Sequence, residues 1–435
     1  MKDKLTAPFV ILVVGLVCVA PVIRARAQTD APKTRSFGSS LKTPKAGAPG
    51  RPDRDVDPRA AENESPEEVV RVETSLVLLD VLVTDAGGAR PVTGLKRDDF
   101  VVTEDGQAQD VSFFALGDDA RGLPRSIVLI LDRSESQLPY LEASVEAAKK
   151  LVDQLAPADE MAVVTDDVQL ASGFTRDKKR LKSTLDALKK FTFEGYRTRS
   201  MQFSALLATL RELVDAGRRR PLVILQTDGD EVGRLSGWPP VAGEQLETYG
   251  YTMGDVYAEA ERSRARIYTV VPNERLLGLP EGEVEGRARL TLEKRRAARL
   301  KTKDMWYGMR RLPPEKTSGT AAPAPAWLND EDMAARMREF REKMERRGVE
   351  TLVEGQAAAA RVAELTGGWA SYLEKPGDAE AVYGRILADI NSRYVIGYYP
   401  SNKALDGKLR QTKVEVRGHP EYVVQGRRSY YALPR

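Results

Sequence analysis

From 126 to 131 the chain reads Ser-Ile-Val-Leu-Ile-Leu, and it turns polar at once with Asp132-Arg133-Ser134-Glu135-Ser136. An unbroken apolar run of this length predicts a strand buried on both faces, as in a parallel sheet. Leu141, Val145, Ala148, Leu151 and Leu155 follow at helical spacing, so an amphipathic helix should cover that sheet. The alternation recurs. Strands are predicted at 126–131, 161–165, 221–226 and 266–271, with helices near 139–156, 177–191, 203–216 and 253–264. Residues 356–391 resume the pattern. A helix over 356–365 is closed by Thr366-Gly367-Gly368, a short strand covers 369–372, and a last helix covers 378–392. This order predicts an α/β domain over 124–393 with a doubly wound, mostly parallel sheet.

Both flanks show a β pattern instead. Strands are predicted at 74–84, 100–103 and 111–114, with turns at Asp85-Ala86-Gly87-Gly88 and Glu104-Asp105-Gly106. After the α/β domain come 394–400, 411–416, 422–424 and 429–431, with Asp406-Gly407 as a turn. About 50 residues are marginal for a core of their own. The flanks 68–118 and 394–435 are therefore expected to pair into one small β-sandwich, with the α/β domain inserted between them.

One stretch, about 275–350, breaks the alternation. Residues 287–303 are rich in Arg and Lys with few apolar anchors, and Pro313-Pro314 and Ala321-Ala322-Pro323-Ala324-Pro325 are breakers. Asn329 should cap a charged helix over 330–347, with Met333, Met337, Phe340 and Met344 on one stripe. That stripe is expected to pack against the domain; the alternative is a partner-docking or lid element.

At the start, Lys2 and Lys4 precede an apolar run from Phe9 to Ala20, and Ala25-Arg26-Ala27 has the small-x-small form of a cleavage site. These features predict a secretory signal peptide over 1–27, with an uncleaved anchor as the alternative. Export implies a secreted or periplasmic protein with no transmembrane segment after cleavage. Residues 28–67 are Pro, Gly, Ser, Ala and charge, which predicts a disordered linker, or a tether that holds the folded part away from a surface.

Composition narrows the chemistry. The 435 residues are 42% hydrophobic and 30% charged, the balance of a soluble globular protein. The formal charge of +3 falls to zero once the signal, with four basic residues and one acid, is removed. No nucleic-acid partner is therefore implied. The single cysteine, Cys18, lies in the signal, so the rest of the chain has no disulfide. A single histidine, His419, excludes multi-His zinc sites and argues against a Ser-His-Asp triad. No phosphate-binding glycine loop or cofactor motif is present, and no catalytic residues are assigned.

What remains is oxygen chemistry. Asp132, Ser134 and Ser136 crowd the mouth of a strand-to-helix turn, at the sheet edge where open α/β folds bind ligands. These groups can cap a helix, or they can hold a hard cation such as Mg²⁺. Asp132-x-Ser134-x-Ser136 after an apolar strand resembles the metal-ion-dependent adhesion site of von Willebrand factor A domains. Thr227-Asp228-Gly229-Asp230 after 222–226 is similar to that family's third metal loop, which adds Asp228. The second loop should give a hydroxyl just before the third helix. Here the chain has Gly195-Tyr196-Arg197-Thr198-Arg199-Ser200, without the family's double glycine; Ser200 has the better spacing, and Thr198 is the other candidate.

The flanks Leu79-Asp80-Val81-Leu82-Val83-Thr84-Asp85, Asp99-Phe100-Val101-Val102-Thr103-Glu104-Asp105-Gly106, Phe174-Thr175-Arg176-Asp177 and Arg393-Tyr394-Val395-Ile396-Gly397-Tyr398-Tyr399-Pro400 are similar to the exported VWFA-related proteins common in acidobacteria. The resemblance spans about 69–272 and 356–433. That likeness implies architecture, and the likeness to the adhesion site implies a Mg²⁺ or other divalent ion held by Asp132, Ser134, Ser136, Ser200 and Asp228, bridged to an exposed Asp or Glu of a protein partner. An interaction scaffold with a vestigial or structural metal site is the alternative. A metal-assisted hydrolase would have only Asp132 and Asp228 as an acid/base pair.

Overall fold

Buried apolar positions two residues apart build the first flank. In β1 (Val77–Thr84) Leu79, Val81 and Val83 are buried, and β2 (Phe100–Glu104) buries Phe100 and Val102. A tight turn joins β2 to β3 (Gln107–Gln109). Asp105 and Gly106 take φ of 47° and 82° there, the left-handed pair that such a hairpin needs. β4 (Val111–Leu116) completes this flank. The computed structural model describes residues 36–41, 76–88, 90–117, 123–189, 200–214, 219–231, 235, 250–309 and 331–432, with side chains left out at 298–309, 331–334 and 337. The expected signal peptide, Thr198 and most of the expected linker lie outside these residues.

The central part alternates as the sequence predicts. It runs β5 (Arg125–Leu131), α1 (Leu138–Asp153), β6 (Glu160–Thr165), β7 (Gln169–Thr175), α2 (Lys178–Leu188), α3 (Gln202–Glu212), β8 (Arg220–Gln226), α4 (Met253–Arg262) and β9 (Arg266–Val271). Two long helices follow, α5 (Glu281–Met309) and α6 (Glu331–Leu365), then β10 (Ala370–Tyr372) and α7 (Ala379–Ser392). The sheet order is β10-β9-β8-β5-β6-β7. Its neighbours are parallel except β7, which runs antiparallel to β6. Successive residues of β5 serve opposite faces. Ile127, Leu129 and Leu131 pack with α1, α2 and α7, while Val128 and Ile130 pack with α3, α4 and α6.

The chain ends in β11 (Tyr394–Tyr398), β12 (Leu409–Val416), β13 (Val423–Gln425) and β14 (Ser429–Tyr431). They join the first flank in two antiparallel sheets, ordered β13-β1-β11-β4 and β14-β12-β2-β3. Leu79, Val81, Phe100, Val102, Tyr394, Ile396 and Val416 share one core between those sheets. The fold is thus a doubly wound, mostly parallel α/β sheet with flanking antiparallel sheets. Among the described residues, no helix is long and apolar enough to cross a membrane.

The outward face of β1 carries Asp80. Its carboxylate meets Arg220 at 2.7 Å and Arg266 at 3.3 Å, and its backbone oxygen accepts a further 2.6 Å hydrogen bond from Arg266. These arginines begin β8 and β9, so the opposite end of the parallel sheet from Asp132 is tied to the antiparallel flank by buried charge.

Four local expectations are corrected. β7 was not among the predicted strands; only Ser172 of its seven residues is buried, so it carries little periodic signal. The helices expected at 330–347 and 356–365 are a single continuous one. On it Phe340 is 59% and Met344 44% exposed, so this part of the stripe does not pack against the domain. Part of the expected linker is ordered: Ser39–Leu41 form a 3-10 turn whose Leu41 enters the core beside α3. Gly38 and Ser40 donate backbone N–H bonds of 2.9 and 2.8 Å to the Glu212 carboxylate, and Tyr251 Oη donates to Ser40 O at 3.2 Å.

Candidate functional site

β5 and β8 are neighbours in register, Leu131 opposite Gln226. Asp132 N–H continues the ladder by donating to Gln226 O at 3.1 Å, so Asp132 and the Thr227-Asp228 pair emerge side by side at the carboxyl edge. On the other side β6 ends at Thr165, and Asp166 N–H donates to Leu131 O at 3.3 Å. Met201 N–H donates to Asp166 O at 2.9 Å, which brings Ser200 to the same edge just before α3.

The five sequence-predicted residues meet there. Ser134 N–H donates to Asp132 Oδ1 at 2.9 Å, and Ser200 Oγ–H reaches the same oxygen at 3.4 Å. Ser134 Oγ and Ser136 Oγ lie 3.0 Å apart, and Ser136 Oγ–H donates to Asp228 Oδ2 at 2.6 Å. Asp132 and Asp228 are 0% and 1% exposed. The capping alternative is not what these groups do: neither Ser134, at the start of the 3-10 turn Glu135–Gln137, nor Gln137, at the start of α1, makes a side-chain cap.

Four further residues belong to the arrangement: Thr227, quoted in the sequence only as part of the third-loop motif, and Asp166, Glu231 and Arg295, which were missed. Thr227 Oγ1 donates to Asp132 Oδ2 at 3.3 Å and accepts Gly229 N–H at 2.9 Å, fixing the turn of the third loop. Asp166 accepts Arg133 N–H at 3.0 Å. Its signal was available, since it follows a buried strand as Asp132 does. Glu231 caps α3 from a distance, accepting Phe203 N–H at 2.6 Å and Ser204 Oγ–H at 2.6 Å. Arg295 of α5 donates to Asp228 Oδ2 at 2.7 Å and to Asp230 Oδ2 at 3.1 Å. Nothing in its basic run singled it out.

Charge in this pocket is strained. Burial, then the neighbouring Asp166 and Asp228 carboxylates, push the Asp132 carboxyl well above the usual range. Burial pushes Asp166 and Glu231 each up to about 7. For Glu231 the folded state then holds a proton through a range where the unfolded chain, near its ordinary value, has lost it. Its contribution to stability is full below about pH 4 and is lost as pH rises through about 7. Glu231→Gln should flatten the fall in unfolding free energy between pH 5 and 8 by on the order of 2 kcal/mol. Urea titrations at both pH values check this; an unchanged slope counts against it.

The donor set suits a hard dication: two buried carboxylates and three hydroxyls, all oxygen. Asp132 is held only by neutral donors in the bonds above, so a cation would relieve its crowded charge. Among the described residues no group of three or more His, Cys, Asp or Glu has metal-binding geometry, so the hydroxyls are essential to any such site.

No protein-family model matches the sequence, and no curated protein matches it. Solved structures to which the chain is similar in part include an aerotolerance-related membrane protein from Bacteroides fragilis, 14% identical over 61% of this chain and 98% of that one, with a TM-score of 0.33. A von Willebrand factor type A protein from Catenulispora acidiphila is 16% identical over 40% of this chain and 41% of that one, with a TM-score of 0.28. The conserved hypothetical protein BatB from Bacteroides thetaiotaomicron is 17% identical over 34% of this chain and 67% of that one, with a TM-score of 0.26.

Proposed function

We propose that the α/β part is an exported von Willebrand A-type binding module, in which Asp132, Ser134, Ser136, Ser200 and Asp228 hold a divalent cation, Mg²⁺ in the first instance. The observation that carries this reading is the bridge Asp132–Ser134–Ser136–Asp228 across two neighbouring strand ends. A hard cation bound there supplies a coordination position that a carboxylate from a protein partner can take in place of water. Asp132 and Asp228 supply the charge, the three hydroxyls supply neutral oxygens, and Thr227 and Glu231 keep the third loop and α3 in place. Such an interface would centre on one charge-assisted contact.

The acidobacterial VWFA-related likeness, the signal peptide and a secreted or periplasmic location belong to the same reading. A second reading, a scaffold whose metal site is vestigial, draws on Arg295: a guanidinium already pairs with Asp228 at 2.7 Å. Capture from the native envelope fraction separates the two. Wild type with Mg²⁺ should retain a partner that is lost with EDTA and lost with Asp132→Ala. Equal capture in all three conditions favours the scaffold.

A further inference from the structure

The stretch with no family resemblance lies over the candidate site. α5 packs on the 3-10 turn Glu135–Gln137, beside Ser134 and Ser136, and lays Arg295 onto Asp228 and Asp230. α6 closes from the other side at a point of backbone contact. A Cβ on Gly355 would stand 2.7 Å from Gly229 O, and a Cβ on Gly229 would stand 2.3 Å from Gly355 O. Gly229 also has φ of +80°, which disfavours any side chain there. The helices therefore rest on the Thr227-Asp228-Gly229 loop through two glycines and one arginine.

Resting on the metal reading above, we infer that Arg295 is a tethered cation that competes with the dication for Asp228, so that α5 acts as a lid released by metal, while α6 stays in the core through Ala358, Ala359 and Val362. Asp228 Oδ2 already accepts from both Ser136 and Arg295. A dication on that carboxylate would put two cations, three positive charges in all, on one buried group. Arg295 is 15% exposed at its side chain, and its Nε has no hydrogen-bond partner. The docked state therefore carries an unrepaid desolvation cost. The apolar anchor of α5 is small: Ala288 is buried with Leu276 and Leu352, and Val284, Leu292, Val349 and Val353 surround them. Few buried contacts place a segment at the low-stability end of a structure, where opening is easy. Coupling of this kind is reciprocal: whatever docked Arg295 subtracts from metal affinity, metal subtracts from docking.

The test uses the full chain as wild type, Arg295→Met and Asp132→Ala. Mn²⁺ affinity is measured by calorimetry, and amide hydrogen exchange is followed over 281–309. Arg295→Met should bind Mn²⁺ about tenfold more tightly, within the usual 5–150-fold span of coupling between sites. Mn²⁺ should speed exchange in 281–309 of the wild type, while Arg295→Met should exchange fast with or without the ion. Asp132→Ala should show neither binding nor any Mn²⁺ effect on exchange. If Arg295→Met and wild type bind Mn²⁺ within twofold of each other, the lid inference is overturned and the metal reading stands. If neither protein binds Mn²⁺, and neither binds Mg²⁺ in the same titration, both are overturned.

Discussion

Mg²⁺ or Mn²⁺ at about 100 times its Kd should raise the melting temperature of EDTA-treated protein by roughly 5–10 °C. A ligand that binds only the native state at that concentration contributes about 2.7 kcal/mol, and a domain of this size shifts by about 2–4 °C per kcal/mol. Asp132→Asn should abolish the rise. The same substitution should leave the protein more stable than wild type in EDTA at pH 8. Asp132 is fully buried, and its carboxyl is pushed well up by burial and by the charges of Asp166 and Asp228. At pH 8 its ionisation opposes folding, because a folded-state value raised above the ordinary one means stability is lost as pH rises through it. An Asn can still accept Ser134 N–H without the charge. Differential scanning calorimetry of both proteins with EDTA and with Mg²⁺ gives all four values. A wild type indifferent to both Mg²⁺ and Mn²⁺ sinks the metal reading. An Asp132→Asn variant less stable than wild type in EDTA would mean the carboxylate is held for structural reasons instead.

Replacing Asp80 with alanine should cost about 3–5 kcal/mol, the penalty for leaving a buried ion pair half made. Arg220 and Arg266 are each 4% exposed, and both lean on this one carboxylate. Burial works to raise the Asp80 carboxyl, but the charges of Arg220, Arg266 and Arg393 together bring it below the ordinary value. A depressed folded-state value means that the stabilisation is present above the unfolded value near pH 4 and is lost as pH falls through the folded one. Asp80→Ala should therefore lower the urea midpoint strongly at pH 7, and the gap to wild type should narrow in acid. A loss under 1 kcal/mol at pH 7 would show that the arginines find other partners once Asp80 is gone. The effect should appear as a global loss rather than a local one, because Asp80 joins β1 of the antiparallel flank to the starts of β8 and β9.

The parallel strands were legible because burial on both faces leaves almost no polar residues in them. Ile127, Val128, Leu129, Ile130 and Leu131 are each at most 1% exposed, and such a run says strand without help from its neighbours. β7 was not legible, because an edge strand held by one partner needs few apolar positions; its pairing with β6 forms it. The turn at 39–41 was missed for a related reason. One leucine in a polar stretch gives no period, and the groups that order it, Glu212 and Tyr251, are more than 150 positions away.

The likeness to the adhesion site added Ser200 and Asp228. Composition and order of residues alone determined a parallel α/β core, β flanks on either side of it, and the oxygens of Asp132, Ser134 and Ser136 at one strand mouth. These follow from local rules: which residues avoid water, and which atoms can ligate a hard ion. Only the tertiary structure decided that Asp166 and Glu231 share the neighbourhood, that Asp80 answers two buried arginines, and that Arg295 lies on Asp228. Each of those pairs a charge with a distant charge or donor. A charged residue looks the same in sequence whether water or a buried partner stabilises it; folding alone selects which.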